Sequence, residues 1–470
     1  MAPVYVPQED GHPRRWMVLP VLLLGMFLLP LDFSIVNVAL PSIRENLGAT
    51  AGQTQLVIAL YAVAYSVFLI TGGRLGDLFG RKTMFLSGMV SFMIASAICG
   101  FAPSIHVLIA ARLLQGVAAA AMAPQVLATI RVIFPAAERN RAIGYYGAVI
   151  GLALVLGQLV GGSLISIKPF GYGWESIFLV NLPVGMLDFV LAAWLLPKSE
   201  RSSRVTFDFA GVAMLSVALV LFVYPLVAGR EAGWPAWTLI CLALSVPALA
   251  LFVIWEQRLT RLCGHPLLDI RLFHDRAFSV GLALSFMVYS SSAIFFSFAI
   301  YLQSGLGWTV LEAGLGVLPL GFGFFFGSLA VPFLVARLGH GAPMLGYVGG
   351  ALSHAVTIGI LLHGGGPGVP MFTAMAVSGL SLGIVFPSLI RIVLQDIPPQ
   401  HAGMAAGALN TMIQVGPAVA VPVIGGVFFN VLGQGGAADY RIAFATVLAC
   451  VIATFCISLG LTFLLRSSRA

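Results

Sequence analysis

Charge is what this sequence has least of. Asp, Glu, Lys and Arg make up 9% of its 470 residues, where a soluble domain carries about 25%. So few polar groups cannot cover a water-facing surface, which excludes an ordinary soluble domain. Cysteine is sparse as well, at five residues with no C-x-x-C pair. Cys99, Cys241, Cys450 and Cys456 sit in apolar runs and Cys263 in a loop, a distribution that argues against disulfides and thiolate-bound metal. The eight histidines are scattered without an H-E-x-x-H spacing, so no zinc site is expected. Lys82-Thr83 lacks the glycine spacing of a phosphate-binding loop, which excludes ATP hydrolysis within the chain. The net charge of +7 is spread over short loops, with no basic stripe interleaved with aromatics, so nucleic acid is not an expected partner.

What is present is apolar length. Hydrophobic residues make up 59% of the chain, and the mean hydropathy is +1.01. A helical span needs about 20 apolar residues. Runs of that kind lie near 16–39, 53–72, 84–102, 106–130, 141–166, 176–196, 208–228, 236–256, 277–303, 309–333, 344–363, 370–394, 403–429 and 441–465. They must be helices, because a backbone in hydrocarbon has to satisfy itself. The N-terminal run follows a polar and then basic leader, MAPVYVPQEDGHPRRW, and lacks a cleavage site, so it reads as a signal anchor and first span. Seventeen Lys and Arg residues, Arg14, Arg15, Arg74, Arg81, Lys82 and Arg139 among them, fall in tails and loops on the same side as the N-terminus, whereas the opposite loops hold four, Arg44, Lys168, Arg230 and Arg441. That asymmetry places both termini in the cytoplasm and requires an even number of spans.

The chain also repeats itself weakly. GGRLGDLFGRKTMFLSG after the second run is echoed by VPFLVARLGHGAPMLGY after the tenth. LGQLVGG at the end of the fifth is echoed by VGPAVAVPVIGG in the thirteenth. The spacing predicts an all-α polytopic protein of two six-helix bundles, 1–197 and 263–470, joined by two further spans within 198–262. The segment 197–207 is the most linker-like stretch.

The strongest local signal is Gly73-Arg-Leu-Gly-Asp-Leu-Phe-Gly-Arg-Lys82. A tight turn between two spans needs glycine where backbones approach or φ turns positive, here Gly73 and Gly80. Asp77 is placed to face a helix N-terminus, whose dipole favours a carboxylate, and Arg81 and Lys82 hold the loop inside. Within the spans, charge marks function by default. Asp32 lies sixteen residues into the first run, about 24 Å along the helix and still within a ~30 Å core. Arg112, in the fourth run, lies at a depth within about 3 Å of it. Pairing with Arg112 favours the ionised carboxylate and separation the neutral acid, which is a physical way to couple a proton to a conformational change. Gln115 shares the face of Arg112. Asp188 shares a face with Asn181, Gly185 and Ala192, and reads either as a structural polar group or as a second protonation or cation site. Arg131, near an inner end, reads as a snorkelling or interfacial cation.

Taken together, the motifs resemble those of the major facilitator superfamily, and within it the fourteen-span drug:proton antiporters. The loop 73–82 is similar to the superfamily's G-x-L-a-D-r-x-G-R-K signature. LDFSIVNVALP (31–41), RLLQGVAAA (112–120) and GQLVGG (157–162) resemble its signatures in the first, fourth and fifth spans, and WESIFLVNLPVG and HPLLDIRLFHDRAF also look like that family. Gln158 stands where the antiporter motif usually has Pro, Ala153 where an upstream Gly is usual, and Leu56 where a Trp is common. The resemblance implies a monomeric exporter in a bacterial cytoplasmic membrane, with no cofactor and a proton gradient as energy source. It implies proton coupling through Asp32 and Arg112, gating by Gly73, Asp77, Gly80, Arg81 and Lys82, and an antiporter motif at Gly144, Gly157, Gln158, Gly161 and Gly162. Tyr61, Gln115, Asp188, Phe295 and Asn410 are the candidates for a cavity that takes small hydrophobic or amphipathic compounds. The runner-up is an importer or a dedicated metabolite or siderophore transporter on the same fold. No nucleophile–base or metal constellation points to a membrane enzyme.

Overall fold

The computed structural model describes residues 11–197, 208–229, 233–262, 266–395, 397–398, 401–432 and 437–466. Most of the linker-like segment 197–207, together with Arg230 and Cys263, lies outside them. Among the described residues the chain forms fourteen long helices. They are α1 (Arg15–Asn46), α2 (Ala51–Phe79), α3 (Arg81–Gly100), α4 (Ile105–Ile133), α5 (Ala136–Ile167), α6 (Ser176–Leu195), α7 (Phe209–Gly229) and α8 (Ala236–Arg261). The series continues with α9 (Arg276–Gly305), α10 (Val310–Leu338), α11 (Ala342–Leu362), α12 (Val369–Leu394), α13 (Ala402–Leu432) and α14 (Ala437–Arg466). α9 is broken by a 3-10 turn at Ser290–Ser292 and ends in a π turn at Tyr301–Gly305. Thirteen of the fourteen, all but α5, are long and apolar enough to cross a membrane, and the protein is an integral membrane protein. α5 is 32 residues long and packs along α1 and α10 in the same assembly.

Helix ends follow the capping signals in the sequence. Thr50 with Gln53, and Thr309 with Glu312, form reciprocal capping boxes at the starts of α2 and α10. Gly80, at φ 93°, turns the chain from α2 into α3, a conformation that glycine alone reaches cheaply.

The weak sequence repeat has a counterpart in packing. α2 packs on α4, α3 on α4, α1 on α5 and α3 on α6. The same pairings recur as α10 on α12, α11 on α12, α9 on α13 and α11 on α14. Between these two sets, α2 meets α13 and α5 meets α10, so the second helix of each half meets the fifth helix of the other. α7 and α8 pair with each other, and α7 leans on both α2 and α13.

Small residues make the close approaches between halves possible. A Cβ at Gly73 would strike the carbonyl of Gly403, and one at Gly407 would meet Ile70. α5 turns one glycine stripe to the other half, with Gly144 against Ser328, Gly147 against Pro387 and Gly151 against Phe324. Further along, Gly157 faces Ser34 and Gly161 faces Ile35, both on α1. Gly162, one residue on and turned about 100° from Gly161, faces open space.

Candidate functional site

Asp32, on α1, is fully buried, and side chains from four other helices gather around it. Arg112 Nη1, on α4, donates to its Oδ2 at 2.5 Å. Gln115 Nε2, one turn along α4, donates to Oδ1 at 2.9 Å, and Asn181 Nδ2, on α6, donates to the same oxygen at 2.8 Å. Ser96, on α3, accepts from Gln115 at 2.8 Å and from Asn181 at 3.4 Å. Arg112 is itself fixed: Nε donates to the carbonyl of Val57 on α2, Nη1 also reaches Gln115, and the guanidinium lies 4.2 Å over the ring of Tyr61. Every partner of Asp32 is a donor, which is the hydrogen-bond pattern of an ionised carboxylate. The network is nearly but not fully satisfied. Arg112 Nη2, Asn181 Oδ1 and the Tyr61 hydroxyl find no partner among the described residues.

The expected meeting of Asp32 and Arg112 is therefore present. Tyr61 and Gln115, expected to line a substrate cavity, are buried within this network. Ser96 and Asn181 were not linked to Asp32 by the sequence. The available signal was depth, since Asn181 is a buried amide near the same end of its span as Asp32. In this conformation Asp32 has no exposed surface. A cavity of about 390 Å³ lined by Trp16, Glu138, Arg141 and Pro332 lies at the other end of α1, roughly 24 Å from Asp32 by helical rise.

A second site lies where α2 turns into α3. Asp77 Oδ1 accepts from the Gly403 amide and Oδ2 from the Met404 amide, both at 3.2 Å. These are first-turn amides of α13, so the carboxylate sits on the positive end of a helix in the opposite half, as the sequence suggested. Arg81 Nη2 donates to the same Asp77 at 3.3 Å. Lys82 reaches the carbonyls of Ala193 and Leu196, at 2.7 and 2.8 Å, and so places a cation at the C-terminal end of α6. Arg131, expected in a snorkelling or interfacial role, is buried and donates to the carbonyls of Gln395 and Ile397, just past the end of α12. Unpaired carbonyls at that helix end are better partners than a distant water layer. The two halves are thus clasped at the end of the molecule that holds Arg15 and the close of α14.

The remaining candidates are more dispersed. Phe295 packs at the edge of the core of the second half. Asn410, on α13, is buried and its Nδ2 has no partner among the described residues. Gln158 lies on α5. Asp188 is fully buried on α6, and neither carboxylate oxygen has a partner among the described residues. Tyr289, Phe386 and Phe324 form an aromatic group facing Gly151, with ring centroids 4.0 and 5.2 Å apart, which the sequence did not single out.

Two pseudo-equivalent halves of membrane helices, with a buried ion pair in one of them and a glycine-lined seam between them, define a transport protein rather than an enzyme. The chain belongs to the major facilitator superfamily, whose sequence profile it matches over residues 22–421. It is 38% identical to a probable actinorhodin transporter of Streptomyces coelicolor, over 92% of this chain and 77% of that one. It is 32% identical to the tetracenomycin C resistance and export protein of Streptomyces glaucescens, over 90% and 77%, and 31% identical to the multidrug resistance protein Stp of Mycobacterium tuberculosis, over 86% and 74%. Its fold is similar to that of the human organic anion transporter TETRAN, with a TM-score of 0.67 at 16% identity over 96% of this chain and 100% of that one.

Proposed function

We propose that this protein is a proton-coupled exporter of small hydrophobic or amphipathic compounds, antibiotics among them, working by alternating access. In this reading all fourteen helices span a bacterial cytoplasmic membrane, both termini are cytoplasmic, and the protein acts as a monomer. Residues 1–197 and 263–470 are the two bundles that rock against each other, with the spans of 198–262 between them. The observation that carries the reading is the Asp32 carboxylate, wholly buried and held only by donors, with Arg112 as its counter-ion. An isolated charge there would cost several kcal/mol, so separating Asp32 from Arg112 drives proton uptake, and re-pairing drives proton release. The clasp of Asp77 on α13 closes the cytoplasmic end in this conformation, and its release opens that end to substrate. Gly144, Gly157 and Gly161 let α5 slide on α10 and α1 as the halves move. The aromatic group Tyr289, Phe324 and Phe386 offers an apolar surface, and the amide of Asn410, whose Nδ2 has no partner among the described residues, a polar handle. Export is favoured over import because several relatives bear the names of resistance and export proteins.

The test is flux. Purified protein in liposomes, given an imposed pH gradient, should move dyes or antibiotics against the proton flow. Movement of substrate in the same direction as protons, or flux indifferent to the gradient, would reject antiport.

A further inference from the structure

Asp188 is a buried acid that the mechanism above does not use. Its side chain is wholly enclosed, and both oxygens lack a partner among the described residues. Gly25 on α1 leaves the room it occupies: a Cβ there would come within 2.8 Å of Asp188 Oδ2 and closer still to the Phe85 ring of α3. α1 and α3 are the helices packed along the Asn181–Leu195 part of α6, which holds Asp188, while α5 touches its first turn at Ser176–Leu179. The charged groups they carry are engaged elsewhere or distant. Asp32 is in its own network, Arg15 pairs with Glu138, Arg81 with Asp77, and Lys82 with the end of α6. Arg44 and Glu45 are exposed at the far end of α1. An ionised carboxylate with no donor and no counter-ion is not tolerated in such a place, whereas the neutral acid is. A metal cation would need several further oxygens. A water molecule would need two or more polar partners, and a phenyl ring and a glycine supply neither.

The position of Asp188 is as telling as its surroundings. It shares a face of α6 with Asn181, seven residues and about 10.5 Å nearer the Lys82-capped end. Asn181 is the residue that bonds Asp32. Between the two lies Gly185, covered by Met93 and Met89 of α3: a Cβ there would meet Met93 Sδ at 2.9 Å and Met89 Sδ at 3.4 Å. Methionine side chains are flexible enough to move off such a site without disturbing the helix.

We propose that Asp188 is a second proton-binding site, the station that receives the proton Asp32 gives up and holds it until the Lys82 end of the bundle opens. In the transfer an O–H bond breaks at Asp32 and one forms at Asp188, so the negative charge moves to Asp32 and is met by Arg112. The structure corresponds to the moment after transfer, with Asp32 ionised, Asp188 loaded and the methionines closed over Gly185. The inference rests on the proton-coupled reading, and an Asp32→Asn arm separates the failure of one from the failure of the other.

The experiment joins infrared spectroscopy with flux in liposomes. At neutral pH the native protein should show a carboxylic-acid C=O band that is lost in Asp188→Asn. The proton-coupled flux of the same variant should fall by about tenfold or more, and Asp188→Glu should recover it. A band that survives in Asp188→Asn, or native flux in that variant, overturns the proposal whatever Asp32→Asn does. Native flux in Asp32→Asn alone overturns the Asp32 reading instead. Should Asp188→Asn fail to fold, the native protein decides. A hydrophobic carbodiimide, which condenses with protonated carboxyls, should leave its adduct on Asp188, and a reacted protein with Asp188 unmodified would refute the assignment.

Discussion

At the scale of single residues, the central question is what each group around Asp32 contributes. Arg112 and Asp32 are both wholly enclosed, so removing one leaves the other as an uncompensated charge. Arg112→Ala is therefore expected to lower stability by about 3–5 kcal/mol, read as a fall in thermal unfolding temperature in detergent. Asp32→Asn combined with Arg112→Gln should cost less than the sum of the single changes, because neither partner is then left charged. Equal and additive losses would show that the pair does not interact. Asn181→Leu removes one donor to Asp32 and should weaken coupling without abolishing it, at about 1.5–3 kcal/mol for a hydrogen bond to a charged group.

At the scale of helices, two contacts make predictions that do not depend on the substrate. The first is Asp77 on the start of α13. A carboxylate at a helix N-terminus is worth about 0.3–1 kcal/mol, so Asp77→Asn should shift the population toward opening at that end by up to roughly fivefold. Spin labels placed across α2 and α13 would report it, and an unchanged distance distribution would count against a gating role. The second is the start of α1, which Arg15 ties to Glu138 through a two-pronged contact at 2.7 and 2.9 Å. The hydrogen bonds from Arg15 hold the Glu138 carboxyl below its ordinary 4.5. That tether is complete above the ordinary glutamate range and is lost as pH falls through the lowered value. Hydrogen exchange in the first turn of α1 should accelerate on acidification in the native protein and be pH-independent, beyond the intrinsic chemistry, in Glu138→Gln.

Helices also set the limit of what the sequence makes legible. Depth was legible, because apolar runs have countable lengths, and depth alone brought Asp32 and Arg112 together. The cap at Asp77 was legible from the glycine pattern and the charge beside it. Rotation about each helix axis was not. Spans that are apolar on every side carry no stripe to say which face turns inward, so Ser96 and Asn181 could not be assigned to Asp32, nor Gly162 to open space. The partner of Arg131 was hidden for a related reason: a cation near a helix end meets either water or backbone carbonyls of another segment, and only the approach of α4 to the chain just past α12 decides between them.

At the scale of the whole molecule, the two halves repeat one packing scheme and meet through the second and fifth helices of each. Among the described residues the wholly buried ion pair Asp32–Arg112 lies in the first half, so the halves are alike in form and unlike in chemistry. In the proposed mechanism one half gathers the proton while the seam between halves opens and closes. Bulk at the seam should therefore block motion without touching Asp32. Gly147→Val, where even a Cβ would press on Pro387, is expected to abolish transport while leaving proton binding intact.

The most direct test of the central claim is proton release on substrate binding, followed with a pH indicator in weakly buffered detergent solution. The native protein should release protons when substrate is added, and Asp32→Asn, folded and still able to bind, should release none from that site. Equal release from both proteins would contradict the account.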